Sequence, residues 1–150
     1  MQIYRINKSL LLLSLCLFAG NAIAQNKDTG TLRVFAGNFN NNIGKAMVQL
    51  YRINDKVPDN PFVRVSSVIQ NKSALIDIHG LPYGDYAALL VHDENSNNKI
   101  DHSYGLPAEQ LGYTNNWELG LFTGMPSFTK LKFHFAPSQT TQKILITYKD

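Results

Sequence analysis

Apolar side chains recur at every second residue through most of this chain, and a turn soon cuts each such run short. Thr31 to Gly37 places Leu32, Val34 and Ala36 on one side and Arg33 and Phe35 on the other. Ser73 to His79 repeats the pattern with Ala74, Ile76 and Ile78. Lys45 to Ile53, Phe62 to Gln70, Asp85 to His92, Phe128 to Phe135 and Gln142 to Lys149 complete about seven candidate strands. Between them lie Asn-, Gly-, Asp- and Pro-rich stretches such as Phe39 to Gly44 and Asn54 to Pro61. No segment sustains a helical period beyond a turn or two. The expected fold is therefore all-β, an antiparallel β-sandwich of about seven strands of immunoglobulin or transthyretin type. A closed barrel is the alternative.

The first 24 residues have a different character. Arg5 and Lys8 precede an apolar run from Leu10 to Ala19, and Ala22-Ile23-Ala24 offers a small-x-small cleavage site. This is the pattern of a signal peptide, and the apolar run is shorter than the roughly 20 residues a transmembrane helix needs. Residues 1–24 are expected to be removed, leaving one domain over 25–150 in the periplasm or secreted. The single cysteine, Cys16, would leave with the leader, so the mature domain must hold together without disulfides. About 125 residues remain, enough for one domain with its own core. Loss of Arg5 and Lys8 lowers the net charge from +3 to +1. With no Lys/Arg cluster left, nucleic acid is not an expected partner. No second apolar run approaches membrane-spanning length.

One connection is too long for a simple turn. Residues 93–126 form an insert with Gly105, Pro107, Gly112, Gly120 and Gly124, yet it also carries Tyr104, Leu106, Leu111, Tyr113, Trp117, Leu119, Leu121 and Phe122. Structureless connections beyond about 12–15 residues are uncommon in compact domains, and this one is too apolar for disorder. It is expected to fold down on the sheet, with one helical turn near Pro107 to Leu111. Its aromatics either build a stacking platform for a sugar or peptide or pack as a small core beneath the insert.

At the root of the insert lies HDENSNNKID, His92 to Asp101. Counting from Asp93, oxygen-bearing side chains fall at positions 1, 3, 5 and 9, as Asp93, Asn95, Asn97 and Asp101. Calcium takes six to eight oxygens, often from alternate residues of a curled loop plus one backbone carbonyl. The candidate ligands are Asp93, Asn95, Asn97, the carbonyl of Lys99, and Asp101, with Ile100 packing inward. Position 12 is Tyr104 rather than the Glu of an EF-hand, so Glu109 is the candidate for the missing carboxylate. Three carboxylates and two neutral amides imply weak binding, in the millimolar-to-micromolar regime. The competing reading is that these Asp and Asn residues only cap turns in an exposed loop. His92 and His102 flank the loop and would suit a transition metal, although a histidine at a strand end more often bonds locally.

Catalytic constellations fare worse. Asp101, His102 and Ser103 are sequence neighbours, whereas triad members converge from separate elements. No G-x-S-x-G elbow and no mature cysteine nucleophile is present. Asp93 and Glu109 could pair for glycoside cleavage, but nothing in the sequence explains a raised carboxyl pKa there.

The string LPYGDYAALLVHDENSNNKID, followed by GLPAEQLGYTNN and MPSF, resembles domain-of-unknown-function family 2141, a family of exported bacterial proteins. The resemblance is carried by Gly84, Tyr86 and Ala87, by His92 to Asp101, by Gly105, Pro107, Glu109 and Gly112, by Tyr113 to Asn116, and by Pro126 to Phe128. Asn98 stands where that family usually has Gly, a mild change because Asn tolerates a left-handed backbone. The Leu81-Pro82-x-Gly84-x-Tyr86 stretch also resembles transthyretin-like and carboxypeptidase-regulatory-like modules. The resemblance implies export and a β-rich fold, and no reaction. The expected function is a non-enzymatic binding or structural module at the cell envelope, with calcium as cofactor and an envelope protein or glycan as partner. The alternatives are a metal-dependent hydrolase of an envelope substrate, or a carrier of small ligands or carbohydrate.

Overall fold

The computed structural model describes residues 28–120 and 122–148. The expected leader and its cleavage site lie outside the described residues. The chain runs β1 (Thr29–Gly37), β2 (Lys45–Tyr51), β3 (Val63–Val68), β4 (Ser73–Pro82) and β5 (Gly84–Asp93). The insert then contributes a two-stranded ribbon, β6 (His102–Ser103) with β7 (Leu106–Pro107), followed by β8 (Leu111–Tyr113) and a 3-10 turn, Thr114–Asn116. A single helical turn α1 (Phe128–Leu131), β9 (Lys132–Phe135) and β10 (Thr141–Thr147) close the fold.

The alternation read from the sequence is the alternation of burial. Leu32, Val34 and Ala36 of β1 are buried while Arg33 and Phe35 face outward, because successive side chains of a strand point to opposite faces. Ala74, Ile76 and Ile78 of β4 and Ile144 and Ile146 of β10 enter the same core. The strands are hydrogen-bonded in the order β3-β2-β5-β8-β10-β1-β4, with β9 pairing to β5 beside β8. Every pairing is antiparallel except β1 with β10, which is parallel.

The first and last strands of that path, β3 and β4, are consecutive in the chain and meet at the Gln70–Ser73 bridge. The sheet therefore curls almost into a barrel. The expected all-β, mostly antiparallel class is present. Strand β10 links the two halves of this sheet, pairing with β1 through Thr141 to Leu145 and with β8 through Ile146 and Thr147.

Three local expectations need correction. Leu111 to Tyr113 is a strand wedged between β5 and β10, so the insert contributes to the main sheet. It is too short for alternation to show, and only glycine fits its centre: a Cβ on Gly112 would lie 2.2 Å from the Leu145 carbonyl oxygen. Pro107 sits in the β6–β7 ribbon rather than opening a helical turn. Finally, Phe128 to Leu131 is helical where a strand is expected, which carries Leu131 under the insert before β9 begins.

The consequence of the insert is a second core. β2 and β5 are buried on both faces. Ala46, Val48, Leu50, Tyr86, Ala88 and Leu90 face the main core. Met47, Tyr51, Ala87, Leu89 and Val91 face Leu111, Tyr113 and Leu131, with Ile100, Trp117, Leu119 and Phe128 packed against them. The expectation that the insert folds down on the sheet holds for these residues. It fails for Tyr104, Leu106 and Phe122, which are exposed. No helix among the described residues is long and apolar enough to cross a membrane.

Candidate metal centre

Strand β5 ends at Asp93, whose side chain is fully buried although the loop after it is exposed. A buried carboxylate must be hydrogen-bonded or neutral. Asp93 Oδ1 accepts from Asn97 N–H at 3.0 Å and Oδ2 from Asn98 N–H at 2.8 Å, so the loop curls back over it. Left-handed backbone at Ser96 (φ 57°) and Asn98 (φ 58°) makes that curl, and Asn98 is well suited to the position. On the other side the chain approaches at Gly44, with φ 73° and room only for hydrogen: a Cβ would fall 2.1 Å from the Asp93 carbonyl oxygen.

The remaining candidates line this curl. Asn95 Nδ2 donates to Asp101 Oδ2 at 2.7 Å, and Asn97 Nδ2 to both Asp101 oxygens at 3.0 and 2.9 Å. The amide oxygens are engaged as Asx-turns: Asn95 Oδ1 accepts from Asn97 N–H and Asn97 Oδ1 from Lys99 N–H. Lys99 takes part through its N–H. Ile100 points inward against the second core, as expected. Glu109 folds back, its Oε2 accepting from Asp101 N–H at 3.2 Å. Ala108 N–H to Asp101 O (2.8 Å) and His92 N–H to Gln110 O (2.9 Å) hold that return segment against the loop.

Electrostatics single out Glu109. Burial, aided by repulsion from Asp93, Asp101 and Glu94, pushes its carboxyl up to about 7, against one opposing hydrogen bond from the Asp101 backbone. No Lys or Arg enters that set of charges. Glu109 Oε1 is buried and has no hydrogen-bond partner among the described residues, and His92 Nδ1 is in the same condition. Both residues line a cavity of about 140 Å³ together with Asn40, Glu94, Ala108 and Gln110.

The family model described as uncharacterized protein conserved in bacteria, DUF2141, matches residues 34–143. The chain belongs to this family. No curated protein and no solved structure matches it.

The candidate ligands thus converge on one place. Asp93, Asn95, Asn97, Asp101 and Glu109 come together, and the orphaned Glu109 oxygen fits a site with room for a positive partner. In the arrangement seen, however, the asparagine nitrogens rather than the oxygens face Asp101. Among the described residues no group of three or more His, Cys, Asp or Glu side chains stands in metal-holding geometry. An amide oxygen keeps a second lone pair after accepting one N–H, so a cation would have to displace the Asn95 and Asn97 donors from Asp101.

Of the histidines, His92 is buried with Nε2 against the Ile43 carbonyl at 2.9 Å, whereas His102 is exposed on β6. His79 and His134 face solvent, His134 paired with Asp85 at 2.8 Å. Glu94 and Asn41 are the residues that sequence reasoning passes over. Asn41 Nδ2 donates to Glu94 Oε1 at 2.9 Å and ties the β1–β2 turn to the loop. The only sequence signal for this contact is the Asn-rich turn itself.

Proposed function

We propose that the protein is an exported, non-enzymatic module of the cell envelope in which a calcium-type loop fastens the insert to the sheet. One observation carries this reading. Asp93, Glu94 and Asp101 all act electrostatically on Glu109 with no Lys or Arg of the described residues among them, the nearest basic group being His92, whose Nδ1 lies 3.7 Å from Glu94 Oε1, and one Glu109 oxygen is buried with its hydrogen-bonding capacity unspent. A divalent cation would relieve both conditions. Asp93, Asn95, Asn97, the Lys99 carbonyl, Asp101 and Glu109 would hold it. The ion's role would be structural, joining the end of β5 to the segment that enters β8.

The architecture is read with it as a sandwich whose layers, β4–β1–β10 and β3–β2–β5, are joined through β10. The side chains of both layers that share the main core support this. Export rests on the leader pattern of residues 1–24, and N-terminal sequencing of the secreted form is expected to begin at Gln25.

The test is calorimetric melting of metal-stripped protein against added calcium. A ligand that binds only the folded state at 100 times its Kd adds about 2.7 kcal/mol, a shift of several degrees. The shift should vanish in Asp93→Ala. An unchanged melting temperature at millimolar calcium overturns the reading.

A second reading, metal-dependent hydrolysis, draws on the Glu109 carboxyl, which titrates near neutrality beside a cavity as a general acid or base would. Turnover of ester, phosphate or glycoside substrates, abolished by Glu109→Gln, would replace the structural role with a catalytic one.

A further inference from the structure

On the far side of β8 from the Asp93 loop, a groove of about 410 Å³ runs between the end of β10 and the turn after β8. It falls within the range of about 300–1,000 Å³ typical of small-ligand sites. Its floor is aromatic and aliphatic, with Tyr113, Trp117 and Leu145, and its rim is polar. The rim side chains Asn116, Glu118 and Thr147 make no hydrogen bond to other described residues.

We propose that this groove binds a neutral saccharide. Three features select that chemistry. First, an aromatic floor with amide, carboxylate and hydroxyl groups around it matches a sugar ring, which has apolar C–H faces and a polar circumference. Glu118 is the only charged side chain among the described residues lining the groove. It repels phosphate and other anions and can accept hydrogen bonds from sugar hydroxyls.

Second, the groove is held in shape. The Trp117 ring is fixed edge-on against Tyr113 at 4.7 Å and lies beneath Lys130 Nζ at 5.5 Å. Asn38 and Asn116 both line the groove with left-handed backbone (φ 65° and 52°). Neighbouring Asn115 anchors the second of these turns by donating to the Lys130 and Lys132 carbonyls at 3.3 and 2.9 Å. A site ordered beforehand does not lose that ordering entropy on binding.

Third, the groove gives an extended peptide no ladder to join. β10 is paired to β8 at Ile146 and Thr147, and on its other side Asn38 Nδ2 donates to the Ile146 carbonyl at 2.7 Å. Main-chain addition, the usual mode for strand-like peptides, is blocked there.

Trp117 is the only tryptophan of the sequence, so tryptophan emission reports on the groove and on the second core beside it. The mature chain is to be titrated with chitotetraose, cellotetraose and maltotetraose, screened on an array of neutral glycans, and titrated with a neutral tetrapeptide, each in calcium and in EDTA. At least one saccharide should shift the emission saturably. Asn116→Gly removes the amide while keeping the left-handed backbone accessible, and Glu118→Gln removes the charge. Each should weaken binding roughly tenfold through lost hydrogen bonds, with the melting temperature unchanged. Arg64→Ala, on exposed β3, should bind as the parent does. The proposal is overturned if no saccharide shifts the emission at millimolar concentration, if only the peptide does, or if binding survives the Asn116→Gly, Glu118→Gln double variant. None of these residues belongs to the Asp93 loop, so a failed calcium titration leaves this result standing.

Discussion

Strands β2 and β5 are covered on one face by other strands and on the other by the insert, and the two coverings are secured differently. Opposite Val48 and Leu90, the cover is β1, β4 and β10, each hydrogen-bonded to a neighbour over several consecutive residues. Opposite Met47 and Leu89, the cover is a few side chains carried by short pieces: Ile100, Leu111, Tyr113, Trp117 and Leu131. Only Leu111 and Tyr113 join a ladder, through the short β8; the other pieces are held by a few polar anchors, namely Asp93 over its loop, Glu109 on Asp101, and the buried Thr114 hydroxyl on the Leu131 carbonyl. A ladder distributes its stability, whereas anchors concentrate theirs. The insert face should therefore open as a unit while the sheet remains folded.

The largest expected effects test that contrast directly. Ile144→Ala on the sheet side and Leu131→Ala on the insert side each remove a fully buried side chain. Each should cost about 2–5 kcal/mol, the range for large-to-alanine core substitutions. Their hydrogen-exchange signatures should differ. Ile144→Ala is expected to lower protection throughout the strands, while Leu131→Ala lowers it mainly between Leu111 and Leu131. Uniform loss in both variants would show that the two faces unfold together and end the comparison.

Next in size is Asp93→Ala. It deletes the hydrogen bonds that the fully buried Asp93 side chain accepts from the Asn97 and Asn98 N–H groups, worth about 1–1.5 kcal/mol each before relaxation of the loop, so a loss of roughly 2–3 kcal/mol is expected in urea titration. Thr114→Val follows. It leaves Ala88 N–H and the Leu131 carbonyl without the hydroxyl that serves both, an expected loss of about 1–3 kcal/mol. Two-state unfolding with an unchanged urea dependence in both variants would argue against a separately opening insert.

Acidity sharpens the picture at Glu109. Its carboxyl is raised from 4.5 to about 7 in the folded chain. The fold thus favours the neutral acid, and the stability this adds is present below pH 4.5 and lost as pH rises through 7. Metal-stripped protein should become less stable across that window. Calcium requires the ionised carboxylate, so its stabilising effect should grow over the same interval and release a proton on binding. Melting curves with and without calcium between pH 5 and 8 check both signs; parallel curves would place Glu109 outside the cation's reach.

How much of this was legible in the residues depends on the range of the interactions involved. The strands with regular alternation could be read because burial of one face imposes a period of two, and β1, β4 and β10 lie close to where that period puts them, whereas β5 is legible as a continuous apolar run buried on both faces. Convergence of Asp93 to Asp101 could be read because it is local, and Glu109 because it follows the loop closely enough in the chain to fold back onto it. The curling of β3 onto β4 left no mark, since sheet closure depends on twist and pairing order rather than composition. Nor did β8, whose three residues are a strand only because β5 and β10 lie on either side. Helical Phe128 to Leu131 departs from the expected strand for a similar reason: its alternating pattern continues into β9, but Leu131 is claimed by the second core.

The smallest expected effect lies at the tip of the insert. Phe122 is fully exposed, and neighbouring Met125 largely so, so neither contributes to the covering of β5. If the insert is fastened only through its root, its 3-10 turn and Leu131, Phe122→Ser should change stability by less than about 0.5 kcal/mol, as surface substitutions generally do. It should also leave exchange protection at Leu111 to Tyr113 untouched. A larger loss would mean that the tip folds over the second core in solution, joining the covering that β8 and the anchors now hold. The contrast between a face sealed by ladders and a face sealed by anchors would then have to be redrawn around an apolar lid.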